Sequence, residues 1–136
     1  ARLPGVVCAC DFLRDRLAIL CAVESGDIQT VLMTLRLPQR TPEIIDRTLG
    51  QPGGLCAVPG GLVAMGALRG LSLLDISRKK LLWTLPSVPL PACLTQRGGA
   101  LLASDTLDGG VVCVPLHRPL AAQTLYTGGE AQAAYV

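Results

Sequence analysis

Six cysteines, one histidine and ten acidic residues are the groups of this 136-residue chain that could do covalent, metal or acid–base chemistry. Cys8 and Cys10 are separated by one residue, not by the two of a zinc knuckle or a dithiol redox motif, and no second Cys or His pair stands at a matching distance. His117 is the only histidine, so a multi-histidine metal centre cannot be built within the chain; beside Arg118 and Pro119 it reads as a surface imidazole. A Cys/His nucleophile pair stays open on spacing alone, because such partners meet in space, but five of the six cysteines lie in apolar runs, which argues against it. Asp15, Glu24, Asp27, Asp46, Asp75, Asp105 and Asp108 are dispersed and mostly border turns, where carboxylates solvate or cap the backbone. Asp105 and Asp108 come nearest to a pair and read as turn residues. Glycine pairs at 53–54, 60–61, 98–99, 109–110 and 128–129 are spaced as turns rather than as a phosphate loop opening a helix. No catalytic, cofactor-binding or metal-ligating residue is expected. The one tentative partner-binding set is the cationic turn Arg78, Lys79 and Lys80, whose plainer alternative is a solvated turn.

Composition narrows the partner classes. A formal net charge of +2 is too small to argue for a polyanion, and aromatic residues make up only 3% of the chain, so direct binding of nucleic acid is not expected. Half the residues are hydrophobic and 16% are charged, which excludes intrinsic disorder. No apolar run reaches the roughly 18 to 20 residues that span a bilayer, so no membrane span is expected. The first residues lack the basic segment, apolar stretch and cleavage site of a secretory signal, as a mature chain also would. The neighbours of the cysteines are Val, Leu and Ala, which suggests buried free thiols in a reducing, intracellular setting, cytoplasmic or nuclear; a disulfide framework is the alternative.

The elements that would position these groups are short strands. Residues 98–116, GGALLASDTLDGGVVCVPL, are two apolar runs joined across Asp108, Gly109 and Gly110, a strong hairpin signal because such a turn needs the positive φ that glycine supplies. Two further copies lie upstream. The first has strand candidates at 6–11, 17–23 and 28–35, a Pro-containing loop at 37–42, and a strand or short helical turn at 43–49. The second enters through the turn 51–54 and has strands at 55–58, 62–68, 71–76 and 81–85. The third has strands around 92–95, 100–104, 111–116 and 123–127. The units of this single repeat domain run over approximately 4–50, 51–88 and 89–128, and 129–136 looks like the start of another.

Laid over one another, the copies align Cys8, Cys56 and Cys93 on the first strand and Gly26, Gly70 and Gly109 just before the third. A repeat of about forty residues with four strands is the period of a propeller blade. The expected fold is therefore all-β, built of four-stranded antiparallel blade repeats in a partial β-propeller, with a closed β-barrel or sandwich as the alternative. Compact apolar side chains fit best where inner strands crowd around an axis, so the three aligned cysteines are expected as core residues.

The segment 71–85, LSLLDISRKKLLWTL, resembles the third and fourth strands of a blade of the WD-repeat or quinoprotein-like kind: Asp75 closes one strand, Ser77 to Lys80 form a basic turn, and Leu82 with Trp83 lie on the returning strand. The resemblance implies a rigid scaffold that presents loops to partners. Quinoprotein enzymes hold quinone and calcium with carboxylates, Asn and stacking aromatics; this chain has no Asn and offers little of that set, so no cofactor is expected. The expected function is a noncatalytic protein–protein interaction scaffold or assembly subunit, with a protein partner or self-association completing the propeller. A barrel or sandwich binding a small apolar ligand and a portion of a quinoprotein-like enzyme are the alternatives. The loops at 37–42 and 77–80 are the first surfaces to examine.

Overall fold

Short apolar segments bounded by Gly, Pro and charged turns pair with their nearest neighbours in sequence, because closing a short loop costs the least chain entropy. In the computed structural model, which describes residues 5–38, 41–105 and 109–126, they form three four-stranded sheets. The first holds β1 (Val6–Phe12), β2 (Arg16–Ser25), β3 (Asp27–Arg36) and β4 (Glu43–Leu49). The second holds β5 (Pro52–Val58), β6 (Leu62–Ala67), β7 (Gly70–Asp75) and β8 (Lys80–Leu85). The third holds β9 (Leu94–Arg97), β10 (Ala100–Asp105), β11 (Gly110–Pro115) and β12 (Gln123–Tyr126), with a short 3-10 turn at Pro119–Ala121 before β12. Strand order in each sheet follows sequence order and each neighbouring pair is antiparallel. None of the sheets closes into a barrel, so the blade repeat is the architecture.

Packing explains the hydrophobic pattern. The second sheet lies between the other two: Val63, Met65, Ala67 and Leu74 pack with Ala18, Leu20 and Leu32 of the first sheet. Cys56, Ala64, Leu71 and Leu73 pack with Leu101, Ala103, Val112 and Val114 of the third. Strands covered on both faces have no solvent side to mark with polar residues, which is why β6 and β7 read LVAMGA and GLSLLD instead of alternating. A further cluster of Ile19, Cys21, Val31 and Met33 occupies the opposite face of the first sheet.

The turns preceding the third strands also repeat. Gly26, Gly70 and Gly109 all have positive φ, at 85°, 130° and 68°. At Gly70 the requirement is twofold, since a Cβ there would also stand 2.5 Å from the Leu85 carbonyl oxygen.

Of the two readings left open at 43–49, the strand is the one that forms. Several other expectations need correction. The glycines at 53 and 54 lie inside β5 rather than in an entry turn; the register there shifts between Pro52 and Leu55, and the absence of side chains lets the chain at Pro91 and Ala92 approach. In the third sheet the first strand begins at Leu94, because Cys93 is drawn to Ser104, whose hydroxyl accepts its N–H at 2.9 Å. The cysteine alignment gives one core thiol: Cys56 is buried, Cys93 is half-buried, and Cys8 is exposed. Cys8 is the extra residue of a β-bulge on the edge strand β1, between Val7 and Ala9, which removes it from the regular inward alternation. No disulfide joins any of the six cysteines. Asp108 and the segment 129–136 lie outside the described residues.

Candidate functional site

The antiparallel order puts two kinds of turn at each end of the sheets. At one end lie the first-to-second-strand turns, 13–15, 59–61 and 98–99, together with the connections into each fourth strand. At the other lie the second-to-third-strand turns and the connections between sheets. The first end carries both loops singled out from sequence, 37–42 and 77–80, of which residues 39 and 40 are outside the described set.

This end is indented. A cleft of about 1010 Å³ runs between the first two sheets, bordered by Phe12 to Arg16, by Ala57 to Gly61, and by Ile76 and Ser77. Beside it, sharing Val58, Pro59 and Gln96 as a common wall, a pocket of about 520 Å³ opens between the second and third sheets. Leu62, Leu73, Leu82, Trp83 and Leu116 give that pocket apolar walls, and His117 stands at its lining. The Trp83 indole is fixed across the sheet boundary, its Nε1–H donated to the Leu116 carbonyl at 3.1 Å. Phe12 is 71% exposed at the lip of the larger cleft.

Charge is distributed unevenly between the ends. Toward the indented end stand Arg14, Arg16 and Arg36 from the first sheet, Arg78, Lys79 and Lys80 from the second, and Arg97 and Arg118 from the third, of which Arg14 and Arg16 border the larger cleft. Fewer acids share this end, and most are held by neighbouring cations. Asp15 lies 3.3 Å from Arg16 and 3.6 Å from Arg36, and the Arg16 hydrogen bond leads in holding its carboxyl below the usual range. Glu43 pairs with Lys79 at 2.5 Å, which lowers its carboxyl chiefly through that hydrogen bond. Asp75 accepts the Ser77 hydroxyl at 3.0 Å and the Arg78 backbone N–H at 3.3 Å, and the Ser77 bond leads in lowering it. The opposite end presents Glu24 and Asp27 beside a cleft of about 620 Å³.

The sequence-derived set Arg78, Lys79 and Lys80 is therefore brought to the indented end, but its members are not equivalent. Arg78 leans toward Asp75, 3.8 Å away, and Lys79, in a left-handed turn at φ 52°, closes the Glu43 pair between the two sheets. Lys80 is exposed, with no ion pair among the described residues. The apolar pocket was not found from sequence, although the chain's single tryptophan marked its position. Asp46, grouped with the turn carboxylates, instead sits within β4 and pairs with Arg69 at 2.5 Å; Arg69 also donates to Ser72 at 3.1 Å. That contact joins the first two sheets and is structural. Among the described residues, no group of three His, Cys, Asp or Glu gathers as a metal site.

No family model matches the sequence, and neither does any curated protein. Solved structures do. The chain is similar to one in a crystal structure of a nidogen/laminin complex, with a TM-score of 0.63 and 17% identity, over 88% of this chain and 44% of that one. It also matches a chain from the structural study of PorZ, a bacterial surface component of the type-IX secretion system of Porphyromonas gingivalis, with a TM-score of 0.45 and 12% identity, over 91% of this chain and 23% of that one. The first likeness shows a propeller-like fold and nothing finer. The chain spans less than half the length of these solved chains.

Proposed function

We propose that the protein is a noncatalytic interaction scaffold, which holds a protein partner across the end carrying the two clefts. The observation that carries this reading is the coincidence of a continuous indented surface, apolar at Phe12 and Trp83, with the cationic end of the sheets. Rigid sheets behind short turns suit such a role, because little order has to be gained on binding. The similar chain in the nidogen/laminin structure comes from a complex between proteins, which agrees with a binding role for the fold. Assignment to WD-repeat or quinoprotein-like blades rests on residues 71–85 alone, and the intracellular setting rests on the apolar neighbours of the cysteines, none of which forms a disulfide.

Photo-crosslinking tests the choice of end. A crosslinker at Ser77 should capture one discrete partner that unlabelled protein competes away, and a crosslinker at Asp27 on the opposite end should not. Equal capture from both positions would remove the proposal.

Self-association is a second reading, favoured by β1. It is an edge strand on which Val6 is 71% and Val7 46% exposed, and an apolar edge strand is a template for another chain.

A further inference from the structure

We infer that the pocket between the second and third sheets receives one large apolar side chain from an acidic segment of the partner. This rests on the binding role proposed above and names the chemistry of what is bound.

The walls select an apolar group. Val58, Pro59, Leu62, Leu73, Leu82 and Leu116 contribute carbon surface, and the volume of about 520 Å³ lies within the range of pockets that enclose a ligand group. Trp83 would ordinarily offer an indole N–H as well as a ring. Here the N–H is committed to the Leu116 carbonyl, so only ring surface is left to present. A polar group entering the pocket would lose water and find few partners; an aliphatic or aromatic one would lose nothing and gain contact.

The surroundings select the flanking charge. Lys80 precedes Leu82 and Trp83 on β8, and Arg118 follows His117. Both cations are exposed and without an ion pair among the described residues. No Asp or Glu lines the pocket. The adjoining cleft continues the same pattern toward Arg14 and Arg16, with Asp15 already held by Arg16. An apolar anchor bordered by carboxylates complements this arrangement; an anchor bordered by lysines or arginines would meet repulsion.

The single tryptophan makes the test direct, since its emission reports this pocket alone. The probes are a short glutamate-rich synthetic peptide with one central leucine, the same peptide with serine in place of leucine, and a lysine-rich peptide with the central leucine. The expected result is a saturable change in Trp83 emission with the first peptide, binding at least about tenfold weaker with the serine peptide, and none with the lysine-rich one. Lys80→Glu should weaken the first peptide and Leu82→Ser should weaken it further, both at an exposed position that folding tolerates. Equal binding of the leucine and serine peptides with unchanged emission would overturn the anchor pocket while leaving the Ser77 crosslinking result intact. Absence of binding by any peptide, or binding only to vesicles of anionic phospholipid, would also overturn it.

Discussion

The carboxylate of Asp11, near the end of β1, accepts the backbone N–H of Ala57 on β5 at 2.8 Å, joining the first strands of two different sheets. Its other oxygen accepts the N–H of Phe12 at 2.9 Å, which fixes the carboxylate beside the larger cleft. Sheets that share an apolar face can slide on one another, because dispersion has little direction; a charge-assisted hydrogen bond sets their relative height. Asp11→Ala should therefore cost about 1.5–3 kcal/mol, the range for hydrogen bonds to a charged group. Asp11→Asn, which keeps one acceptor, should cost less. Urea denaturation of the three proteins checks the order, and equal midpoints for wild type and Asp11→Ala would refute the strut.

Much of this arrangement was legible from the chain and some could not have been. Turn chemistry located the strands: Gly26, Gly70 and Gly109 adopt the positive φ that their positions before third strands implied. Alternation could not decide the fourth segment at 43–49, because one extra residue between Leu32 and Met33 pairing shifts its faces. The same kind of irregularity turned Cys8 out of the core. Gly53 and Gly54 resemble a turn in sequence, yet serve a close approach by a segment almost forty residues later, and local propensity holds no information about such an approach. The pocket around Trp83 was hidden for the same reason, since Leu116 and Gln96 reach it from another sheet. Lys79 was visible as a charge, but only the fold shows that Glu43 neutralises it.

Thiol chemistry should sort the cysteines by environment rather than by their aligned positions. Burial raises the Cys56 thiol, with Asp11 adding to the effect, and burial raises Cys21, with Cys8 adding to it. Cys8 and Cys10 are exposed. A thiol reagent at neutral pH should label Cys8 and Cys10 quickly, and Cys21 and Cys56 only once denaturant is added. The same shifts predict alkaline destabilisation. Below the ordinary thiol value of 9.0 both folded and unfolded chains keep these protons; above it the unfolded chain releases them first, so stability falls as pH rises toward the folded values. Peptide mapping after timed alkylation reads the first outcome and urea midpoints across alkaline pH read the second; Cys56 reacting as fast as Cys10 would contradict both.

The Glu43–Lys79 pair should give stability with the opposite pH dependence. Its carboxyl is lowered below the ordinary 4.5, so the folded chain holds fewer protons there than the unfolded chain. The contribution is present above that value and fades as pH falls through the lowered one. Wild type should melt above Glu43→Gln at neutral pH, and the two curves should converge in acid. Both residues are about half exposed, at 49% and 52%, so added salt should narrow the neutral-pH difference as well. A gap that persists unchanged in acid would mean that Glu43 acts by packing rather than by charge.

Edge exposure on β1 predicts concentration-dependent association. Light scattering on the purified chain should show a mass above that of one 14.2 kDa chain, and Val6→Lys should return it toward the monomer, because a lysine on an edge strand repels a second edge. Val6 is largely exposed, so the substitution leaves the core intact, and circular dichroism should remain that of a β protein. A monodisperse monomer for the wild type would dismiss the second reading and leave the clefted end as the binding surface.

Gly66 offers the sharpest test of how the second and third sheets are joined. The Pro91 carbonyl accepts the Gly54 N–H at 2.7 Å, and Leu90 donates to the Ala67 carbonyl at 3.0 Å, so the connection between the sheets is drawn tightly over β5 and β6. A Cβ on Gly66 would collide with the Pro91 carbonyl oxygen and stand 2.8 Å from its ring. A backbone carbonyl and a closed proline ring offer no flexible side-chain end to yield. Gly66→Ala should therefore cost about 1–3 kcal/mol, as overpacking does in a filled interior, whereas Leu68→Ala, at a 58% exposed turn position one strand-end away, should change stability little. The denaturant midpoints of the two variants measure the contrast. Equal midpoints would show that the connection can lift away from β6, and with it the close approach that brings β9 against the second sheet.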